Sequence, residues 1–447
     1  MQVNATLRPS DFKPRLERFW ELSGTKIEAI AGSYGDSGDS PVCTVDGVYT
    51  GRAWTDWTQG FQFGSALLQF DATDDRRFLE IGRTATLSQM TAHLTDFGVH
   101  DHGFNIVSTY GNLWRLMNEG RIPESSLERQ LYELSLKTSG AVQARRWTEV
   151  GGALGYIYSF NGPHSLFVDT IRSLRSLALA HLLGHVLRDD AQRQVSLLER
   201  LKKHAVSTAR HCVYYGQGAD IYDVRGRVAH EALFNVVDGS SRCPSTQQGY
   251  SPFSTWTRGL AWAICGFAEQ LEFLHACGDA EVTSALLEAA RAVCDFYIEA
   301  ATAADGVPYW DTGAPGLASL GDWRSKCADP FNEHEPVDSS AAAIAAQGLL
   351  RLGNYLGDQS YVNAALTVAW TLFEAPYLSE SPRHQGLLLH SVYHRPKGWD
   401  NVPPGHSIPC GESSMWGDYH ARELAVLIGR LADGAPYLTF FSGGVSL

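Results

Sequence analysis

Apolar residues recur along this chain at the three- to four-residue spacing of amphipathic helices, and the alternation typical of half-buried strands is scarce. The pattern predicts about twelve helical segments. They span residues 10–31, 57–71, 74–95, 103–118, 123–139, 166–187, 189–210, 254–276, 279–303, 338–356, 358–375 and 412–431. Several consecutive pairs have short joins, such as Gly184 to Asp190 and Cys277 to Asp279, and long joins separate the pairs. Because a short join forces neighbouring helices to be antiparallel, the pattern predicts helical hairpins.

Six such hairpins close into an (α/α)6 barrel, so we expect an all-α fold of this kind. An open α-solenoid is the alternative, but the sequence lacks the regular period of such repeats. We predict a single barrel domain over residues 1–447. Within it, residues 1–50 form an N-terminal helix and a divergent loop.

The second helix of each predicted pair begins beside Trp, Asp, His or Arg. These starts read WTDWTQGF (54–61), HDHGF (100–104), LFVDT (166–170), TWTRGLAW (255–262), DSSAAA (338–343) and SSMWGDY (413–419). If these six are the inner helices, their N-termini meet at one end and form a cup with positive potential, which favours an anionic ligand. Asp, Ser and Thr are also ordinary N-caps, and capping is the favoured reading for Asp338.

One stretch, Gly249 to Trp262, combines a turn with the start of a strongly apolar helix. Arg258 lies near that start, between Trp256 and Trp262. A guanidinium there needs a partner, and indoles beside it suit a flat ligand with an anionic group, such as an acidic sugar. The alternative, that both Trp are core residues and Arg258 pairs with a structural Asp, has about equal weight.

Two carboxylates are candidates for proton transfer. Asp101 lies between two His residues, and Asp169 follows the apolar run 166–168. A carboxyl group among apolar residues and beside a second Asp holds its proton more tightly, so we expect Asp169 to be the acid and Asp101 the nearby charge. Taken singly, either Asp is better explained as an N-cap or an ion-pair partner.

Composition narrows the possible partners. The 447 residues carry a formal net charge of −13, which argues against nucleic acid and anionic membranes, so local cations must bind any acidic substrate. The N-terminus shows no signal-like apolar run, and no stretch is apolar enough to span a bilayer. The eight Cys are scattered without metal-ligand spacing. We expect a cytoplasmic protein with reduced thiols, and neither a metal nor an organic cofactor.

The motifs together resemble the unsaturated glucuronyl hydrolases, glycoside hydrolase family 88. The matching segments are DWTQGF (56–61), HDHGF (100–104), FVD (167–169), QQGYSPFSTWTRGLAWAICGFA (247–268), VPYWDTGAP (307–315), DSSAAAI (338–344), SVYH (391–394) and MWGDY (415–419). They keep the family's order and cover nearly the whole chain after residue 50. The Trp256–Trp262 block and WGDY are specific in combination.

The resemblance implies an (α/α)6 barrel that hydrates the C4=C5 enol ether of an unsaturated uronic acid at the non-reducing end of lyase-made oligosaccharides. It implies Asp169 as acid/base and Asp101 as the supporting carboxylate. The implied subsite residues are Trp57, His100, His230, Gln248, Trp256, Arg258 and Trp262. A structural role for His230 stays open, and so does the choice between monomer and homodimer.

The chain departs from the family around both aspartates. Val99 and His102 replace residues usual there, Ser173 replaces an Asn, and Arg172 replaces an apolar residue. Because a cation three residues after Asp169 would lower its pKa, we expect Arg172 to point away and pair with another acid. Trp147 is a candidate for the family's stacking Trp. The 304–337 join is a candidate cap over the cup.

Three rival functions remain. A conventional glycosidase would use the same two Asp as acid and base, or as acid and nucleophile. An unsaturated rhamnogalacturonyl hydrolase would share the barrel. A saccharide-binding homologue with impaired catalysis is the third. The parent polysaccharide is open, and Arg395 and Lys397 are candidates for a sulfate site or a solvated basic loop.

Overall fold

The computed structural model describes residues 1–34, 39–51, 56–151, 153–218, 220–280 and 282–441. Trp54 and Thr55, at the start of the second predicted helix, lie outside the described residues. Small parts of the predicted loop within 1–50, of the joins 140–165 and 211–253, and of the helix 279–303 do so too, as do residues 442–447.

α-Helices are the predominant regular secondary structure of the described residues. They are α1 (Lys13–Tyr34), α2 (Gln59–Thr73), α3 (Arg76–Gln89), α4 (His102–Ile106), α5 (Asn112–Asn118), α6 (Ser126–Arg145), α7 (Thr170–Ser173), α8 (Arg175–Leu182), α9 (Leu197–His211), α10 (Thr257–Ala276), α11 (Thr283–Phe296), α12 (Ser339–Leu356), α13 (Gln359–Leu372) and α14 (Met415–Asp433). A π-helical segment, Val107–Gly111, joins α4 to α5, and α8 continues α7, so each of these pairs acts as one helix. All the predicted helical segments are confirmed, most within a few residues of their predicted ends.

The loops between the helices contain short antiparallel strands. They are β1 (Pro41–Val45) with β2 (Val48–Gly51), β3 (Trp147–Val150) with β4 (Leu154–Ile157), β6 (Leu187–Arg188) with β7 (Gln194–Val195), and the three-stranded sheet of β5 (Ser165–Phe167), β8 (Glu231–Phe234) and β9 (Ser241–Ser245) in the order β5-β8-β9. The predicted starts of helices 166–187 and 189–210 are wrong, because the β5 strand and the β6–β7 pair lie there instead. Residues 165–167 pair with 231–233 instead, an interaction between distant residues that local periodicity does not reveal.

The second helix of each predicted pair belongs to an inner ring. Around this ring α2, α4–α5, α7–α8, α10, α12 and α14 contact one another in order, and α14 returns to α2. The outer partners are α1, α3, α6, α9, α11 and α13. Ring closure confirms the (α/α)6 barrel and excludes the open solenoid. A helix with neighbours on all sides must be apolar nearly all round, as the almost fully buried α10 and α12 are.

The inner helices enclose a cluster of buried ions. Arg172 contacts Glu269 and, at 2.7 Å, Glu423; all three side chains are at most 1% exposed. Arg175 lies 3.6 Å from Glu269 and 3.7 Å from Glu423, and Arg351 lies 3.8 Å from Glu269. The expectation that Arg172 pairs with an acid other than Asp169 is confirmed. Three guanidinium groups thus surround the Glu269 carboxylate inside the ring of inner helices.

We predict that Arg172→Met destabilises the protein by about 3–5 kcal/mol, because it leaves Glu269 and Glu423 buried with less compensation. Urea unfolding followed by circular dichroism measures this loss. The control is Arg18→Met, which removes the ion pair between Arg18 and Glu380, both about half exposed. That variant should lose less than about 1 kcal/mol. Equal losses in the two variants would contradict the assignment of a stabilising buried cluster.

Candidate active site

The N-terminal ends of the inner helices open into a cavity of about 560 Å³. Its wall includes eight of the nine predicted site residues. These are Trp57, His100, Asp101, Asp169, Gln248, Trp256, Arg258 and Trp262. The predicted cup therefore exists, and residues up to 205 positions apart in sequence meet in it because the helices that carry them all begin at this end.

A larger groove, about 930 Å³, lies at the opposite end of the barrel, where α2 and α14 finish. Eight carboxylate residues and four Lys or Arg residues line it. None of the predicted site residues contributes to its wall, so volume alone does not identify the reactive end of this molecule.

The two candidate carboxylates occupy N-cap positions without acting as caps. Asp101 precedes α4, and Asp169 precedes α7 directly after the β5 strand. Within the described residues, neither side chain accepts a hydrogen bond from the first turn of its helix. Asp338 behaves differently, because its Oδ1 accepts from the backbone N–H groups of Ser340 and Ala341. The capping explanation thus holds for Asp338 and fails for the other two.

The His100 ring lies between the two carboxylates. Its Nε2 is 3.7 Å from Asp101 Oδ1 and 3.5 Å from Asp169 Oδ1. The ring is 2% exposed, and each carboxylate side chain is 11% exposed. Phe160 stacks on the ring at a centroid distance of 6.1 Å and an interplanar angle of 21°. One imidazole can therefore exchange a proton with either acid while the aromatic cover limits the access of water.

Burial and the His100 imidazole give the carboxyl groups of Asp101 and Asp169 different pKa values. Burial, only partly offset by His100, raises the pKa of Asp101 from 3.8 to about 6. Burial also raises the pKa of Asp169, but the His100 imidazole 3.5 Å away outweighs this effect, so the net pKa lies below 3.8. Burial lowers the pKa of His100, but Asp101 and then Asp169 raise it above 6.5. In the unliganded protein these directions favour the proton on Asp101, the reverse of the order expected from the sequence, and the role of Asp169 as the acid stays a prediction.

Arg258 is held by the protein itself. Its Nη1 donates to Asp338 Oδ2 at 2.8 Å and to the Val392 carbonyl, and its Nη2 donates to Gln248 Oε1 at 2.9 Å and to the Tyr393 carbonyl at 2.6 Å. All four terminal N–H bonds are engaged, so pairing with a substrate carboxylate would require one of these contacts to break. The alternative reading from sequence, a structural pair with an Asp, describes the geometry better.

Gln248 and His230 differ in how they relate to the cavity. Gln248 lines it, and because its Oε1 is taken by Arg258, the amide NH2 is the group left for a ligand. His230 is 2% exposed and lies behind Phe167 and Trp256, with ring centroids 4.5 and 4.7 Å away. Its Nδ1 accepts from the Gln247 N–H at 3.1 Å, which puts the proton on Nε2. The structure therefore places His230 behind the wall.

The predicted tryptophans differ in exposure. Trp256 and Trp262 are 3% and 2% exposed, so they belong to the core and show only a small edge to the cavity. Trp57 is half-buried and stacks on Trp416 with a centroid distance of 5.0 Å and an angle of 28°. Trp57 is thus the predicted Trp with the most surface available to a sugar ring.

Sequence reasoning missed part of the cavity wall. Phe160 is 48% exposed and lines the cavity, as do Lys397 and Trp399. Trp147 does not line it; its ring packs against Arg200 instead, at 4.9 Å. The position of Phe160, between the β4 strand and Asp169, could have indicated its role. A single aromatic residue in a loop, however, forms no periodic pattern that would mark it. Neither Arg395 nor any residue of 304–337 lines the cavity, so the prediction of a cap from that join is wrong.

The described part of the chain contains neither a metal-type cluster, nor a membrane-spanning helix, nor a disulfide. No group of three or more His, Cys, Asp or Glu residues there has the arrangement of a metal site. No helix there combines the length and apolar character that crossing a bilayer requires. All eight cysteines lie within it, and none is in a disulfide.

Comparison with known proteins gives consistent matches over most of the chain. No family model matches. The unsaturated glucuronyl hydrolase of Bacillus sp. (strain GL1) is 27% identical over 391 residues, 86% of this chain and 89% of that protein. The unsaturated chondroitin disaccharide hydrolase of Streptococcus agalactiae serotype III is 24% identical over 407 residues, 88% of this chain and 86% of that protein.

Solved structures match the fold. The crystal structure of the Bacillus sp. GL1 unsaturated glucuronyl hydrolase, described as responsible for glycosaminoglycan degradation, aligns with a TM-score of 0.69 at 24% identity over 93% of this chain and 97% of its own. A mutant Streptococcus agalactiae unsaturated glucuronyl hydrolase complexed with dGlcA-GalNAc6S aligns with a TM-score of 0.63 at 19% identity over 95% of this chain and 97% of its own.

A closed ring of helical hairpins with paired carboxylates in an aromatic cup is an (α/α)6 barrel with a candidate acid/base site. Together with this site, the matches over nearly the whole chain support a glycoside hydrolase similar to the unsaturated glucuronyl hydrolases.

The raised pKa of Asp101 carries a consequence for stability. In the folded protein the pKa of Asp101, about 6, exceeds the unfolded value of 3.8, so protonation of this carboxyl group stabilises the fold. The stabilisation is complete below pH 3.8 and is lost as the pH rises through about 6. We predict that Asp101→Asn, which stays neutral, is more stable than the parent by up to about 3 kcal/mol near pH 7.5 and by about 1 kcal/mol near pH 4.5.

Thermal unfolding at the two pH values measures this difference. Asp190→Asn is the matched control, because that side chain is 97% exposed and should show no pH-dependent difference. A stability gain for Asp101→Asn that is equal at both pH values would contradict the cost assigned to its buried charge.

Proposed function

We propose that this protein removes the 4,5-unsaturated uronic acid from the non-reducing end of oligosaccharides that polysaccharide lyases produce. The observation that carries the proposal is the convergence of Asp101, His100 and Asp169 on one wall of an aromatic-lined cavity. The relatives named for unsaturated glucuronyl and unsaturated chondroitin disaccharide hydrolysis support the substrate class.

The reaction adds water to the enol ether. A proton is added to C4, the electrons of the C4=C5 bond form the new C–H bond, and the positive charge at C5 is shared with the ring oxygen. Water then bonds to C5 and gives up a proton to a base. The resulting hemiketal opens, and C1 releases the remaining saccharide. One water is consumed, and the products are a keto-uronic acid and a shortened sugar.

We assign the proton transfer at C4 to Asp169. In the unliganded protein its pKa is low, so it must first gain a proton, and His100 Nε2 is the donor at 3.5 Å. An acidic sugar in the cavity brings a second negative charge and displaces water, and both changes raise the pKa of Asp169. Asp101 retains its own proton more readily and holds the imidazole between the two acids. His100 is then the reservoir, and Asp169 the acid/base.

Substrate binding falls to the aromatic and amide groups of the wall. Trp57 and Phe160 offer stacking surfaces, and the free NH2 of Gln248 offers hydrogen bonds. The buried Trp256, Trp262 and Arg258 shape this wall from behind, and His230 holds the Gln247–Gln248 backbone. Lys397, exposed at the rim, supplies the positive charge for a carboxylate or sulfate.

The state of the cysteine thiols supports a proposal about the cellular compartment. Eight cysteines without a disulfide suit a reducing compartment, so we propose a cytoplasmic location in polysaccharide degradation. A monomer and a homodimer fit the proposed reaction equally.

We expect the enol-ether absorbance to disappear when the enzyme meets a panel of lyase-made unsaturated disaccharides from chondroitin, hyaluronan, heparin, gellan, xanthan and ulvan. In deuterated water, hydration places deuterium on C4, whereas conventional glycosidic hydrolysis does not. A product with no deuterium at C4 would establish the conventional glycosidase, and a flat trace with every substrate and folded protein would refute the proposal.

We predict that Asp169→Asn lowers kcat by at least about 10³-fold while the substrate still binds, because the amide cannot transfer the proton. Steady-state rates and calorimetric binding separate the two effects. The control Asp74→Asn changes a carboxylate that is 78% exposed and outside the cavity, and it should retain the parent rate. A nearly normal rate for Asp169→Asn would mean that the proton donor is another group, with Asp101 next in order.

A further inference from the structure

We propose that Ser173, together with Gln143, is a positioning residue that fixes the distance between the two carboxyl groups of the reaction. Neither side chain lines the cavity, so each acts through the segment that carries His100 and Asp101. This inference rests on the proposed function.

Ser173 lies on the same helix as Asp169, one turn later and on the same face. Its side chain is fully buried. The hydroxyl donates to the His100 carbonyl at 2.9 Å and accepts from the Gly103 N–H at 2.8 Å. Ser173 thereby ties the backbone on both sides of Asp101 to the helix that positions Asp169.

Gln143, from the outer helix α6, completes this link. Its Nε2 donates to the His100 carbonyl at 2.8 Å and to Ser173 Oγ at 2.9 Å, and its Oε1 accepts from Ser176. Both amide hydrogens and the Ser173 hydroxyl hydrogen are in use. A buried network in which each donor has an acceptor is rigid, because any displacement leaves a polar group without a partner.

The backbones of α4 and α7 are in contact at the same place. A Cβ on Gly103 would lie 2.1 Å from the Ser173 carbonyl oxygen and 2.5 Å from its Cα. Glycine is therefore required for this close approach, and the network closes on helices that already touch. The separation of Asp101 from Asp169 follows from this contact.

The reactive side chains are not fixed by hydrogen bonds of their own. Within the described residues, His100 Nδ1, His100 Nε2 and Asp169 Oδ1 are buried and have no hydrogen-bond partner in the unliganded protein. Their positions must come from the backbone beneath them. Ser173 and Gln143 both hydrogen-bond the His100 carbonyl, directly before Asp101, so their removal should alter the chemical step more than substrate binding.

Movement of the segment would also alter the surroundings of the imidazole. His100 faces Asp101 on its own segment, Asp169 on α7, Arg146 after α6, His204 on α9 and His230 before β8. A displacement changes these distances together. The titration of the His100 ring is therefore a direct readout of its position.

The test compares Ser173→Ala and Gln143→Met with the parent enzyme. We expect each variant to lower kcat about 10- to 100-fold with KM within about 3-fold, because a misplacement of about 1 Å at the reacting groups costs this much. We also expect the His100 titration, followed by NMR of labelled imidazoles, to shift in both. Ser207→Ala is the matched control, since Ser207 is equally buried and donates to the Gly155 carbonyl at 2.9 Å away from this segment.

Folded variants with the parent kcat and an unmoved His100 titration would overturn the proposal, and so would an equal loss in Ser207→Ala. If Ser173→Ala does not fold, Gln143→Met decides by the same two readouts. If the parent turns over none of the unsaturated disaccharides, the proposed function fails by itself. The NMR titration then still tests whether Ser173 and Gln143 position the imidazole.

Discussion

The close approach of neighbouring inner helices is the constraint on which this site depends. At Gly60 a Cβ would lie 2.4 Å from the Asn105 carbonyl oxygen, and at Gly103 it would lie 2.1 Å from that of Ser173. These two contacts join α2 to α4 and α4 to α7. The three helices carry Trp57, Asp101 and Asp169 at their starts, so backbone atoms in van der Waals contact set the spacing of these helices, and the buried Ser173–Gln143 network adds to it at Asp101 and Asp169.

The reactive groups of the cup differ in hydrogen bonding from the network beneath them. Arg258 has an acceptor for each terminal N–H, and the Ser173–Gln143 network uses each of its hydrogens. The His100 ring and Asp169 Oδ1, by contrast, are buried without hydrogen-bond partners among the described residues, as are several atoms of the buried ion cluster. A buried polar group without a partner costs stability. In the cup, unlike in the ion cluster, a ligand or a transferred proton can reach such a group and complete it.

Sequence patterns were sufficient for the architecture and most of the cup. Helical periodicity and join lengths predicted the six hairpins, and eight of the nine site residues predicted from the helix starts and the family resemblance line the cavity. The pairing of residues 165–167 with 231–233 was out of reach because it joins distant segments. The order of the two carboxyl pKa values was also missed, since it depends on where one imidazole lies between them. Phe160 escaped because a lone aromatic in a loop has no pattern to mark it.

The two ends of the barrel differ in the charges that line them. The inner helices begin at the cup, whereas α1 and α3 begin at the far groove, which eight carboxylate residues and four Lys or Arg residues line. Because the dipoles of antiparallel partners largely cancel, the attraction of an acidic saccharide is confined to the inner helix starts and Lys397 at the cup. Added salt screens such an attraction, so it should slow capture without changing the events inside.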